Sequence, residues 1–351
     1  MIDAAPKMLS AAVCPAPPPA IPRLPEGGKR PFWSIMIPVF NAREDYLRET
    51  LLSVLQQDPG IDEMQIEVID NCSTNGDPAT LVHQIGGGRI AFHRQSRNVG
   101  IVENFNTCIR RGRGQWIHIL HADDTVRPDF YKRAREGIET YPDVGAVMCR
   151  IIYMDQDGQW TGLSEPEART PCVIDEDFAM RQFLDQRIQF VAFVVRRSTY
   201  EELGGFRDTL PHCLDWDKWK QIAFRKRIYY DPTPLACFRI HAAADSSRLI
   251  MSGENVVEER KSIEYSLAEL PSHRASDMRR LANKSAGIRA ARRARLLWKE
   301  GQRVAALRQA SQALRCSIAP AVSLRTAYFL LCMLLHFGPD ARVRRTAKSI
   351  S

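Results

Sequence analysis

From Phe32 onward, short apolar runs alternate with amphipathic stretches of about ten to fifteen residues, and this alternation constrains the fold most. Strands separated by helices of that length are covered on both faces, so the pattern calls for a mainly parallel sheet, an α/β architecture. The run Ser34-Ile-Met-Ile-Pro-Val-Phe40 reads as the first strand, and Tyr46, Leu47, Thr50, Leu51, Val54 and Leu55 follow at helical spacing. Further strands are expected over residues 65–70, 89–93, 115–120 and 144–152, and helices over 78–85, 99–111 and 128–139. A mixed stretch to about residue 245 adds strands near 189–195 and 228–240 and a helix near 215–227.

The chain has 351 residues, enough for a large core, and three segments differ in character. Residues 1–31 hold eight prolines without periodicity and read as a flexible leader. Residues 32–247 form the α/β unit, and residues 248–351 read as a basic α-helical region. Trp298, Gly301, Ala305, Leu307, Ala310, Leu314 and Pro320 give that region a faint helix-turn-helix flavour, against which a plain helical bundle is the simpler reading.

Charge separates the ends. The net charge is +8, yet residues 271–351 carry 17 Lys+Arg against 3 Asp+Glu, a local +14, which leaves the first 270 residues near −6. One basic end on an acidic body points to an anionic surface met by that end alone: lipid headgroups, nucleic acid or an acidic protein. The sparse aromatic interleaving argues against single-stranded nucleic acid, and no nucleic acid partner is expected. The longest apolar stretch, residues 327–337, is about half of the ~20 residues that a membrane span needs. Nine cysteines without a Cys-x-x-Cys pair suggest a reducing, cytoplasmic setting.

In an open α/β sheet, ligands meet the residues just after the strands. Those positions are Asn41, Asp70-Asn71, Asn98 and Asp123-Asp124. Adjacent carboxylates at a strand end make a hard-oxygen site suited to Mg²⁺ or Mn²⁺; equally, they could cap the helix that follows. Asp215 in Asp215-Trp-Asp217 could be a general base with a pKa raised by its aromatic neighbour, or an ordinary acidic helix start. His241 alone would more often be a buried structural histidine than a ligand.

Taken in order, Ile37-Pro-Val-Phe-Asn41, Val68-Ile-Asp-Asn-Cys-Ser-Thr-Asn-Gly76, Asn98-Val-Gly100 with Asn104 and Asn106, and Leu120-His-Ala-Asp-Asp124 resemble the successive signatures of family-2 glycosyltransferases of GT-A fold. Gly204-Gly-Phe206, Leu214-Asp-Trp-Asp-Lys-Trp219 and Phe238-Arg-Ile-His241 resemble that family's later blocks, so the likeness covers roughly residues 32–247. The resemblance implies an inverting transfer of a sugar from a nucleotide diphosphate sugar to an acceptor hydroxyl. It gives Pro38, Val39, Phe40, Asn41, Asp70 and Asn71 to the nucleotide, with Asn98 and Asp123 beside the donor. It gives Asp124, aided by Asp123, to the cation, His241 to the metal or diphosphate, and Asp215 to the proton of the attacking hydroxyl. Leu214 and His121 stand where acidic residues are common in the family, which leaves the donor open. The lack of a Gln-x-x-Arg-Trp motif and of spans resembles the single-addition members. A glycan or lipid-linked acceptor in cell-surface polysaccharide or glycolipid synthesis follows, with the basic end as a peripheral contact at the inner face of the plasma membrane. Two competing readings are a non-catalytic sugar-nucleotide or glycan-binding protein on a degenerate transferase fold, and a scaffold whose tail is the functional part.

Overall fold

The structure, a computed structural model, describes residues 16–25, 27–175, 177–241, 246–270 and 272–334. In chain order its first half runs β1 (Trp33–Val39), α1 (Glu44–Leu55), β2 (Met64–Asp70), α2 (Pro78–Gly86), β3 (Ala91–Arg94), α3 (Ile101–Arg111), β4 (Trp116–Ile119), β5 (Thr125–Val126), α4 (Phe130–Thr140) and β6 (Ala146–Met154). There follow β7 (Trp160–Leu163), β8 (Cys172–Val173), α5 (Asp177–Leu184), β9 (Phe193–Arg196), α6 (Arg197–Leu203), α7 (Leu214–Arg225) and β10 (Ile228–Arg239). The remainder is helical: α8 (Ser246–Ser252), α9 (Glu254–Leu267), α10 (Ser272–Lys299), α11 (Arg303–Cys316) and α12 (Pro320–Leu334).

The ten strands of the described residues join one sheet in the order β3-β2-β1-β4-β9-β6-β10-β5, with β7 on β6 and β8 on β10. The β3-β2-β1-β4 half and the β6/β10 pair are parallel, whereas β9 runs antiparallel between β4 and β6. The mixed, mainly parallel α/β sheet followed by helices is therefore the one the sequence pattern called for. One element differs: residues 190–192 form a single 3₁₀ turn before β9, with the Val191 carbonyl 3.1 Å from His118 Nε2. Both faces of β1 and β2 are buried along their whole length, as helices on both sides require.

A proline inside the central strand β1 has a local explanation. The Met36 carbonyl accepts from Leu120 N while the Val39 carbonyl accepts from Asn71 N, so Pro38 faces the β4 side as Met36 does. The β1/β4 ladder ends at Met36 and Ile119, and the missing N–H of Pro38 falls where the two strands have already parted.

The segment expected to be a loose leader behaves otherwise from Ala16 to Pro22; residues 1–15 lie outside the described residues. Ile21 is buried, Arg197 and Arg207 donate to the carbonyls of Pro22 and Ala16, and Gly205 N donates to the Pro19 carbonyl. The Gly204-Gly205 pair makes this possible. Gly204 has φ of 75°, and a side chain there would meet the Pro19 carbonyl at 2.8 Å; at Gly205 it would strike Asn106 Oδ1 at 2.3 Å.

The helical region packs through small residues. Ala282, Ala286 and Ala290 of α10 share a cluster with Ala313 of α11, Val322 of α12 and Phe183 of α5. Phe183 ties these helices to the α/β unit. Leu307 and Leu314, which carried the repeat flavour, are instead exposed, whereas Ala305 and Ala310 are buried.

Candidate active site

The chain visits β1, β2 and β3 in one direction and then returns past β1 to β4, so the strand order reverses between β1 and β4. A crevice opens at such a switch point, at the carboxyl ends of the strands. Pro38 marks its mouth on one side and Leu120-His121 on the other.

The acid pair sits there. Asp123 and Asp124 do not cap the following helix, because β5 intervenes and α4 starts only at Phe130 behind Asp129. The turn is pinned from α1: Thr50 Oγ1 donates to the Asp124 carbonyl at 2.8 Å. Asp124 is 1% exposed; its Oδ1 accepts the Arg239 backbone N–H at 2.9 Å, and its Oδ2 is buried without a hydrogen-bond partner. Burial, and then the adjacent Asp123 carboxylate, push the Asp124 carboxyl well above the ordinary range. One ligand atom each from His121, Asp123 and Asp124 can be chosen so that all lie within 4.8 Å of one another. That spacing, with two hard oxygens and an imidazole, fits a divalent cation.

His241 stands one step out from this triad, with Nε2 2.8 Å from Asp123 Oδ2 and its ring against Tyr46. Sequence reasoning passed over two neighbours. His121 departs from the family's acidic pattern, yet it belongs to the triad, stacks on Phe105 and lies tilted against Phe190. Arg239 is the second residue of the Phe238–His241 motif. Its Nε donates to the Asp123 carbonyl, its Nη2 pairs with Glu49, and its guanidinium covers the Tyr46 ring at 4.2 Å. A charge inside the otherwise apolar end of β10 was the available signal.

The loops assigned to the nucleotide hold one another. Asn41, at φ of 51°, accepts from the N–H groups of Thr74 and Asn75 through Oδ1 and donates its own N–H to Ser73 Oγ. Asp70 is fully buried and its oxygens are taken, Oδ1 by Ser73 and Oδ2 by Arg94 Nε at 2.6 Å. Asn71 bonds Asn98 and the Val99 N–H, and Asn98 also accepts from Gly100 N. Pro38 and Val39 end β1, and Phe40 beyond them is 45% exposed. A depression lined by Ala42, Leu47, Ser73, Asn75, Asp77 and Pro78 lies beside this loop. Asn104 and Asn106 are braces: the first donates to the Ile69 carbonyl, and the second bonds both backbone groups of Phe206.

Asp215 lies in the first turn of α7. Its Oδ1 accepts the Trp216 N–H at 2.7 Å and its Oδ2 accepts Gln186 Nε2 at 2.5 Å. Burial raises its pKa to about 6 in spite of those bonds. Asp217, two residues on, is 1% exposed and paired with Arg207 at 2.6 Å. An aromatic column links this helix to the acid pair, since Trp219 packs on Phe190, which packs in turn on His121. Gln186 left no mark in the sequence that could have singled it out.

A switch-point crevice with an acid pair at the end of the fourth strand defines a protein of the GT-A class of α/β folds. Residues 34–204 match the family described as Glycosyl transferase family 2. The uncharacterized protein MT1568 of Mycobacterium tuberculosis (strain CDC 1551 / Oshkosh) is 23% identical over 250 residues, 68% of this chain and 77% of that one. The succinoglycan biosynthesis protein ExoO of Rhizobium meliloti (strain 1021) is 34% identical over 129 residues, which is 37% of this chain and only 33% of ExoO. Among solved structures, mannosyltransferase PcManGT from Pyrobaculum calidifontis, in complex with GDP-Man and Mn²⁺, shares the fold at a TM-score of 0.54 and 17% identity, over 87% of this chain and 81% of that one. Over residues 34–204 the chain is a family-2 glycosyltransferase domain.

Proposed function

We propose that the chain moves a sugar from a nucleotide diphosphate sugar to an acceptor hydroxyl with inversion at the anomeric carbon. The observation that carries this reading is Asp124, whose buried Oδ2 lacks a partner at the switch-point crevice of a family-2 transferase. Asp124, Asp123 and His121 would hold Mn²⁺ or Mg²⁺, and His241 would orient Asp123. When bound, the cation neutralises charge on the departing diphosphate. Asp215 would take the proton from the attacking hydroxyl, a role suited to a carboxylate with a pKa of about 6. The loop at residues 38–41 would seat the nucleotide together with the Asn71 and Asn98 loops, while Asp70, with both oxygens engaged, would shape that seat from beneath. The Mn²⁺ and GDP-Man of the mannosyltransferase complex, and the succinoglycan role named for ExoO, support the cation, the donor class and a place in cell-surface polysaccharide or glycolipid synthesis.

The boundaries at residues 32 and 247 belong to this reading, as does a peripheral contact of the basic helices with an anionic, cytoplasmic membrane face. No helix among the described residues is long and apolar enough to cross a membrane. Arg292 and Arg295 are exposed and available to headgroups, whereas Arg289 and Arg293 turn inward. Nucleotide release from a panel of UDP-, dTDP- and GDP-sugars, with and without Mn²⁺, tests the function. Cation-dependent release from at least one donor is expected; binding without turnover across the panel would give the chain to the non-catalytic reading.

A further inference from the structure

The helix that carries Asp215 does not fix its own start. Its N-cap residue, Cys213, makes no side-chain capping bond. Instead, the backbone N–H groups of His212 and Cys213 donate to one oxygen of Glu258 on α9, at 2.7 and 3.3 Å. Glu258 is only 9% exposed, so this carboxylate is spent on the approach to α7. One turn further along α7, buried Lys220 donates to the Ser262 carbonyl and hydroxyl on the same helix α9, at 3.1 and 2.7 Å.

A second set of bonds reaches Asp215 from its other side. Arg289 of α10 donates to the Leu184 carbonyl at 2.7 Å and to Asp185, pairs with Glu259, and lies 5.0 Å over the Trp216 ring. Trp216 is in turn tied to the Gln182 carbonyl through its indole N–H at 2.6 Å. The segment Arg289 grips runs directly into Gln186, whose amide bonds the Asp215 carboxylate.

We propose that the C-terminal helices are a positioning scaffold for Asp215, with Glu258 seating the first turn of α7 and Arg289 holding the segment that places Gln186 on the carboxylate. The inference rests on the reading of Asp215 as the base. Its chemical logic is that proton abstraction requires a carboxylate oriented to within a fraction of an ångström, and misplacement by about 1 Å costs about 10²-fold. Glu258 and Arg289 touch neither donor nor acceptor; they act through α7 and Gln186.

The test uses the full chain and nucleotide release from the panel donor turned over fastest. Glu258→Ala and Arg289→Lys should each lower kcat by about 10-fold to 10²-fold with donor KM changed less than about twofold, and should displace the acid limb of the pH profile. Glu258→Gln, whose amide oxygen can accept the same two N–H groups, should recover kcat to within about threefold. If these variants melt earlier yet keep wild-type kcat per folded molecule and an unmoved pH limb, the helices are structural only and the scaffold inference falls. Asp215→Asn, assayed alongside, separates the two failures. A large loss in that variant with scaffold variants unaffected overturns the scaffold alone; near wild-type turnover in Asp215→Asn removes the base, and the scaffold with it.

Discussion

The chain carries two acidic pairs whose buried members are equally hidden: Asp124 and Asp217 are each 1% exposed. They differ in what faces them. Asp217 meets the Arg207 guanidinium at 2.6 Å and the Gln221 amide at 2.7 Å through Oδ2, so its charge is answered within the chain although its Oδ1, like Asp124 Oδ2, is buried without a hydrogen-bond partner. Asp124 meets a backbone N–H and a second carboxylate, and burial pushes its carboxyl well above the ordinary range. The Arg239 charge opposes that shift only in part, and a buried carboxylate whose charge is incompletely answered is costly, because desolvation is not fully repaid. Asp217 is therefore built to stand alone, and Asp124 is built to be completed by a proton or by a cation. Their partly buried partners follow the same division, Asp123 beside the His121 and His241 imidazoles and Asp215 beside neutral donors.

The largest effect that would test this contrast is Asp124→Ala. Turnover should fall by at least about 10³-fold in metal-replete buffer, since the proposed anchor of the cation would be lost. The melting temperature should hold or rise, because the substitution removes a buried acid that Arg239 compensates only in part. Near wild-type turnover would take Asp124 out of the site. Next comes Asp215→Asn, nearly isosteric but unable to accept the proton, with kcat lowered by about 10²–10⁴-fold and donor affinity unchanged. A collapse of donor binding with a high residual rate would make Asp215 a donor-binding residue instead.

Asp217→Asn should act in the opposite sense. It breaks a buried ion pair from one side and leaves Arg207 unanswered, at a cost of about 3–5 kcal/mol of stability. Turnover per folded molecule should stay within about threefold of wild type. Denaturant titration gives the first number and active-fraction-corrected kcat the second. A stable but inactive Asp217→Asn would erase the distinction between the pairs.

Much of this contrast was legible from residue order and much was not. Strand ends expose polar side chains to a common edge, so Asn41, Asp70-Asn71, Asn98 and Asp123-Asp124 stood out as soon as the βαβ pattern was recognised. The α/β alternation itself survives because buried parallel strands are apolar over most of their length, and single buried polar residues such as Ser34, Glu67 and His118 do not break the run. Asp70 shows the limit: its position after β2 is plain, but its capture by Arg94 and Ser73 depends on β3 and a loop that no periodicity describes. Gln186 and Glu258 are harder still, since each acts across more than twenty residues of chain, the first through one oriented bond to Asp215 and the second through two backbone N–H groups. The roles of the two acidic pairs likewise depend on partners outside their own motifs, Arg239 on β10 for one and Arg207 in the loop before α7 for the other.

The smallest expected effect is a pH dependence that separates Asp215 from both buried acids. Its folded pKa of about 6 exceeds the ordinary value of 3.8, with burial as the leading cause; the bonds from Trp216 N and Gln186, and the Lys220 charge on the same helix, oppose it. Glu258 and Glu259 of α9 and Arg289 of α10 surround the same helix start but are occupied by backbone groups and by each other. Between about pH 4 and pH 6 the native state binds more protons at this site than the unfolded chain, so stability falls as pH rises through that window. Each pKa unit is worth about 1.4 kcal/mol. The amide introduced by Asp215→Asn carries no such charge, so that variant should match wild type near pH 4 and be the more stable of the two above pH 6. Activity runs the other way, because only the ionised carboxylate accepts a proton, and kcat of the wild type should rise with pH through about 6. Melting curves and rates across pH 4 to 8 read both trends on one preparation. Equal stability of the two proteins at every pH would mean that Asp215 titrates as an ordinary carboxylate, leaving burial with no part in preparing it as a base.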